Sequence, residues 1–190
     1  MSTETVHSGF RPDMSVVARA NRIGLWLFLV SETFLFGAFL SARYFSSGTL
    51  KPDELNQGFA LALTIILLLS SISAYLAETA MRYNHRRKFI FFMSLTIGMG
   101  LLFLVGVGVE ISEAIHLYPP ETQYGTSYFM LIGLHAFHVV TGLTALGIVL
   151  FLGIKGHFSS DDYWGVEGVV KYWHFVDLAW VIIYPTLYLF

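Results

Sequence analysis

The chain has 190 residues, 55% of them hydrophobic, 16% aromatic and only 13% charged. That is about half the charged share of an ordinary soluble domain. A net charge of −2 and a mean hydropathy of +0.64 argue against a disordered, collagenous or nucleic-acid-binding chain. The absence of cysteine excludes disulfides, iron–sulfur clusters, thiolate copper sites and attached c-type haem.

Residues 1–22 form a polar segment with no apolar signal-peptide core. Five apolar runs follow: 23–42, 59–80, 89–109, 128–152 and 172–190, which are 20, 22, 21, 25 and 19 residues long. At 1.5 Å per residue each spans roughly 30 Å, the thickness of a hydrocarbon core. Of 24 Lys, Arg, Asp and Glu residues, only Glu32, Glu78 and Asp177 fall inside the runs. The runs do not alternate as barrel strands would. The expected fold is all-α: one polytopic domain over 23–190, a bundle of five transmembrane helices.

Basic residues set direction. A cytoplasmic N-terminus puts nine inside (Arg11, Arg19, Arg22, Arg82, Arg86, Arg87, Lys88, Lys155 and Lys171). It leaves Arg43 and Lys51 outside. Five spans then bring the C-terminus to the periplasm. Small residues at four-residue spacing (Gly37/Ser41, Ser70/Ala74, Ser73/Ala77), with Gly98, Gly100, Gly106 and Gly108, predict close helix packing within the chain or against a partner. Pro185 predicts a local bend in the fifth run.

The intramembrane polar residues carry the functional question. Glu32 lies near mid-membrane with no basic neighbour on its own helix. It is either a proton-linked or partner-facing carboxyl, or a protonated acid with a structural hydrogen bond. Glu78 precedes Arg82 by one turn, the spacing of an interfacial ion pair. Glu113 and His116 could ligate a metal, but one such pair has no second pair to complete it. His135 and His138 in the fourth run and His174 in the fifth invite bis-histidine haem ligation. The depths of His138 and His174 differ by more than about 10 Å by helical rise. Neutral, hydrogen-bonded histidines are therefore expected, with no metal. No nucleophile–base pair or phosphate loop appears, so catalytic residues are expected to be absent.

Six stretches resemble one family in its own order. Gly133-Leu-His-Ala-Phe-His138-Val-Val-Thr-Gly142 resembles the Gly-x-His-Gly-x-His-Val element of subunit III of haem–copper terminal oxidases. Tyr172-Trp-His-Phe-Val-Asp177-Leu-Ala-Trp180 resembles its Trp-His-Phe-Val-Asp signature. Ser31-Glu32-Thr-Phe-Leu-Phe-Gly37, Glu110-Ile-Ser-Glu113-Ala, Tyr124-Gly-Thr-Ser-Tyr-Phe129 and Lys155-Gly-His157-Phe158 also fit. The similarity covers about residues 20–190 and resembles a short, five-helix bacterial form of the cytochrome c oxidase subunit.

That resemblance implies a non-redox subunit of a proton-pumping respiratory enzyme in the bacterial plasma membrane. It would carry no cofactor of its own and would bind phospholipid, with haem and copper in partner subunits. Subunit I would be its main contact, with subunit II and a small subunit IV as further partners; cytochrome c or quinol would be met only through other subunits, and nucleic acid not at all. The family's intramembrane carboxyl maps onto Glu32, beside subunit I or a proton path. His138, Lys155, His157, Glu167, Trp173, His174 and Asp177 map onto lipid-cleft or structural polar positions. Leu152 stands where many members have Arg, leaving Lys155 to meet a headgroup. A quinol oxidase subunit III, and an independent multi-span transport or binding protein centred on Glu32 and His138, are the alternatives.

Overall fold

The computed structural model describes residues 14–47 and 57–189. Arg11 and Lys51, both counted above for orientation, lie outside the described residues. The described chain is five helices: α1 (Met14–Ser47), α2 (Gln57–Arg82), α3 (Arg86–Leu117), α4 (Gln123–Lys155) and α5 (Trp164–Tyr188). Each is longer than its apolar run. Helical hydrogen bonding continues through the polar flanks, since the backbone satisfies itself whether its side chains meet lipid tails or headgroups.

Four helices, α1 to α4, are long and apolar enough to cross a membrane. The expectation of five is met here only in part. Tyr172, His174, Asp177, Tyr184 and Pro185 lower the hydropathy of α5, although its 25 residues reach roughly 38 Å. Pro185 sits inside the last turns of α5, where the helix continues to Tyr188.

Helices α2, α3, α4 and α5 pack in that order, and α5 returns against α2, so the four close into a bundle. Helix α1 lies outside that ring and touches only α4 and α5. Lipid gives no hydrophobic drive for helices to associate, so close packing and interhelical hydrogen bonds hold the ring. Ala60, Ala74 and Ala77 of α2 are completely buried. Gly106 of α3 admits Leu63, whose methyl would lie 2.3 Å from any added Cβ. The Trp173 ring wedges between Gly100 of α3 and Gly142 of α4, where an added Cβ would meet it at 2.8 Å in both places. Gly37, Gly98 and Gly108 have nothing within 4 Å of an added Cβ. The small-residue pattern therefore divides into packed and open members.

Hydrogen bonds stitch the α2–α5 seam. Trp173 Nε1 donates to Ser70 Oγ at 3.0 Å and Trp180 Nε1 to Thr64 Oγ1 at 2.9 Å. Each hydroxyl in turn donates to a carbonyl of its own helix, Leu67 O or Ala60 O, so every polar atom in these chains is used.

The helix ends follow local chemistry. Thr122 caps α4, its hydroxyl accepting from the Gly125 N–H at 3.0 Å. Gly156 closes α4 at φ 81°, a left-handed conformation that glycine adopts without strain. The α2–α3 turn is tight and places Asn84 at φ 58°. At its far side Arg86 reaches across to the Ile154 carbonyl of α4.

Candidate functional site at the junction of α1, α4 and α5

Where α1 rests on the bundle, it leaves a groove of about 980 Å³. Glu32, Phe28 and Leu35 of α1 face His138, Thr141 and Ala145 of α4, and Trp164, Gly168 and Tyr172 of α5 complete the walls. Helical spacing explains the lining. Phe28, Glu32 and Leu35 are three or four residues apart, and so are His138, Thr141 and Ala145, so each set shares one face.

At mid-depth Glu32 Oε2 lies 3.1 Å from His138 Nε2, with the two side chains 19% and 6% exposed. The other ring nitrogen, Nδ1, lies 2.8 Å from the Leu134 carbonyl oxygen. A carbonyl only accepts, so Nδ1 carries a hydrogen. Nε2 then has two favourable states toward Glu32: it accepts from a carboxylic acid, or it donates to a carboxylate as imidazolium. A carboxylate facing an unprotonated Nε2 would set two lone pairs against each other. In both favourable states the pair holds one shared proton and has no net charge, which removes most of the cost of a lone mid-membrane carboxylate. The Phe36 ring lies 4.9 Å from the imidazole and shelters it. Thr141 Oγ1 donates to the His138 carbonyl and lies 2.8 Å from the Tyr172 hydroxyl, carrying the polar contact on to α5.

The groove has a charged rim at the N-terminal end of α5. Arg22 of α1 pairs with Glu167 of α5 at 3.3 Å, and Lys171 pairs with the same carboxylate. Both cations lie 5.9 Å from the Trp164 ring. Glu167 stands in the first turn of α5, ahead of the apolar stretch. Burial acts to raise its pKa, but the Lys171 bond and the charges of Lys171 and Arg22 outweigh it, and the carboxyl is held below its ordinary value.

The remaining sequence candidates lie elsewhere. Trp173, His174 and Asp177 belong to the α2–α5 seam. His174 Nδ1 is 2.5 Å from Ser71 Oγ. Asp177 is 3% exposed, and neither of its oxygens has a hydrogen-bond partner of normal geometry. Lys155 and His157 are exposed at the C-terminal end of α4, with the Lys155 ammonium 4.3 Å from the Phe151 ring. The residues mapped onto lipid-cleft or structural polar positions thus occupy three places.

Two expectations need correction. Glu78 and Arg82 form no ion pair: the close pairs among the described residues are Arg22–Glu167, His138–Glu32 and Lys171–Glu167. Arg82 is exposed while Glu78 is half-buried, in the field of Glu167 and Lys171 on α5 as well as of Arg82 itself. His135, expected to be hydrogen-bonded, has no partner at either ring nitrogen. It is fully buried and held by rings instead, edge-on to Phe103 at 5.8 Å and tilted over Trp180 at 5.0 Å.

Sequence reasoning missed a second polar cluster at the opposite end. Glu110 is 6% exposed and Arg43 1%. The Arg43 guanidinium lies 4.8 Å from the Tyr124 ring. Tyr124 donates to the Leu187 carbonyl, and the Tyr128 and Tyr188 hydroxyls meet at 3.3 Å. Glu110 follows the apolar run in sequence, and the tyrosines around it come from two other helices. Arg22, Thr141 and Tyr172 were likewise unassigned. Their one signal was position near the ends or the polar face of their runs.

Comparison with known proteins gives this arrangement a lineage. A family model for cytochrome c oxidase subunit III matches residues 1–190. The cytochrome c oxidase subunit 3 of Cyanidium caldarium is 34% identical over 187 residues, covering 92% of this chain and 68% of its own length. That of Sus scrofa is 33% identical, covering 92% and 71%. That of Scyliorhinus canicula is 33% identical, covering 90% and 70%. The chain belongs to the cytochrome c oxidase subunit III family. It is a multi-pass membrane protein, and membership of the subunit III family implies a complex with other oxidase subunits. Glu32 and His138, which meet in the groove, both lie in stretches that carried the resemblance.

Proposed function

We propose that this chain is the non-redox subunit III of a proton-pumping cytochrome c oxidase in a bacterial plasma membrane. It packs on subunit I, holds phospholipid along the α1–α4–α5 groove, and sustains proton uptake and catalytic lifetime. Haem and copper belong to the partner subunits, with subunit II and a small subunit IV as further neighbours. Helix α5 serves as the fifth span, with the N-terminus cytoplasmic and the C-terminus periplasmic. The observation that carries this reading is the Glu32–His138 bridge. It is a net-neutral polar contact at mid-membrane on the wall of a groove large enough for acyl chains. It joins the outlying helix to the bundle and can hold a proton without a net charge. With haem and copper assigned to the partner subunits, its role is support of a neighbouring proton path.

The test uses the assembled oxidase, following oxygen consumption and proton release together over many turnovers. Glu32→Gln keeps a hydrogen-bonding group opposite His138 Nε2, so assembly and the initial rate should survive. Glu32→Ala leaves Nε2 unpartnered beside a gap, so the enzyme should lose activity after several-fold fewer turnovers. Immediate loss of oxygen reduction in Glu32→Gln, with every metal and subunit retained, would make Glu32 an obligatory proton carrier and overturn the supporting role.

A further inference from the structure

A second groove, of about 530 Å³, lies at the basic end of the α2–α3 hairpin. Helix α1 makes no contact with α2 or α3, so nothing in the described chain covers it from that side. Its apolar wall is Leu76, Phe91 and Phe92, and its polar mouth is Tyr83, His85, Arg87 and Lys88. No acidic residue lines it. Arg87 and Lys88 make no hydrogen bond or ion pair among the described residues. The cation beside them differs: Arg86 turns to the Ile154 carbonyl. Arg22 and Lys171 are likewise spent, on Glu167.

We propose that this groove binds one anionic phospholipid, its phosphate at Arg87 and Lys88 and its first acyl segment against Leu76, Phe91 and Phe92. Two features select that occupant. The cations stand in the first turn of α3, at headgroup depth. The apolar wall then runs inward along the helices: Leu76 lies six residues before Arg82, about 9 Å by helical rise. A free anion would leave that wall unused, and a zwitterionic lipid would leave the two cations without net compensation. Phe91, 63% exposed, extends the wall outward for the chain to lie on. Each cation near a membrane surface contributes about 1 kcal/mol toward an anionic headgroup, so the two together give a selectivity on the order of tenfold or more.

The experiment titrates the full chain, delipidated in zwitterionic detergent, with phosphatidylglycerol and separately with phosphatidylcholine, and counts bound lipids by native mass spectrometry. One phosphatidylglycerol should bind roughly tenfold more tightly than phosphatidylcholine. Arg87→Gln with Lys88→Gln should reduce it to the phosphatidylcholine level, and the charge-keeping swap Arg87→Lys with Lys88→Arg should retain the preference. Phe91→Ala should weaken both lipids several-fold. Helicity and thermal midpoint in phosphatidylcholine micelles identify folded variants. Equal affinity for the two lipids, or a preference that persists in the folded double-Gln variant, overturns the proposal. So does unchanged binding in Phe91→Ala. Displacement of phosphatidylglycerol by an equal concentration of soluble glycerol phosphate would make the mouth a simple anion site and also overturn it.

Discussion

A carboxylate that meets two cations responds to pH in a direction set by its folded pKa. Glu167 is held below its ordinary value by Lys171 and Arg22. Its pairing therefore stabilises the chain fully above the unfolded carboxyl pKa of about 4.3, and that contribution is lost as pH falls through the lower folded value. Glu167→Gln should flatten the acid limb of a thermal-stability profile between about pH 5 and 3 relative to the parent. At pH 7 it should cost at most about 1 kcal/mol, because Arg22 is largely exposed and its pairing is screened. Parallel acid limbs for variant and parent would show that the rim contributes nothing. Glu32 behaves differently because its partner is a histidine that already donates elsewhere. Its partner lies on α4, 106 residues away, and no reading of α1 alone could supply it.

Among the helices, glycine separates positions that look alike in sequence. Gly125 and Gly133 both lie in α4. A Cβ at Gly125 would meet the Pro119 carbonyl oxygen at 2.3 Å, a backbone atom that cannot rotate away. A Cβ at Gly133 meets nothing within 4 Å. Gly125→Ala should therefore destabilise the chain by about 1–3 kcal/mol through overpacking. Gly133→Ala should be neutral or stabilise it by up to about 1 kcal/mol, because alanine is the better helix former. Thermal unfolding of the two variants in one detergent decides it, and equal shifts would mean that the turn before α4 is softer than its geometry implies. The same contrast divides the small-residue pattern: Gly100 and Gly106 admit a neighbouring side chain, as Gly142 and Gly153 do in α4, whereas Gly37, Gly98 and Gly108 have nothing within 4 Å of an added Cβ.

At the scale of the molecule, α1 is a helix attached to a closed four-helix ring. Polar contacts hold it at three depths: Arg22 with Glu167, Glu32 with His138, and Ser46 with Ser127 at 2.9 Å. Its remaining surface exposes Trp26, Leu27 and Phe34, the apolar side chains expected of a helix that meets lipid or another subunit. The charge asymmetry predicts that the α2–α3 turn faces the cytoplasm and the α3–α4 connection the periplasm. The chain has no cysteine, so single substitutions report without background. His85→Cys should stay unmodified by an impermeant thiol reagent applied to intact cells, and Glu121→Cys should react. The reverse pattern would invert the topology.

The sequence alone determined the helical class, the number of apolar runs and the family, because a lipid core demands long apolar helices and because the motif stretches are contiguous. Asp177 and Trp173 could be singled out in the same way, since a polar group or large aromatic in an apolar run stands out by contrast. Partnership was decided only by the tertiary structure. The Glu32–His138 bridge joins residues 106 apart in the chain, the Trp180–Thr64 bond residues 116 apart, and Glu110 is buried by tyrosines from α4 and α5. Spacing along one helix could not reveal these pairings. The same spacing suggested a Glu78–Arg82 pair that the fold does not make, because neighbouring helices, not the local turn, determine which polar atoms are within reach.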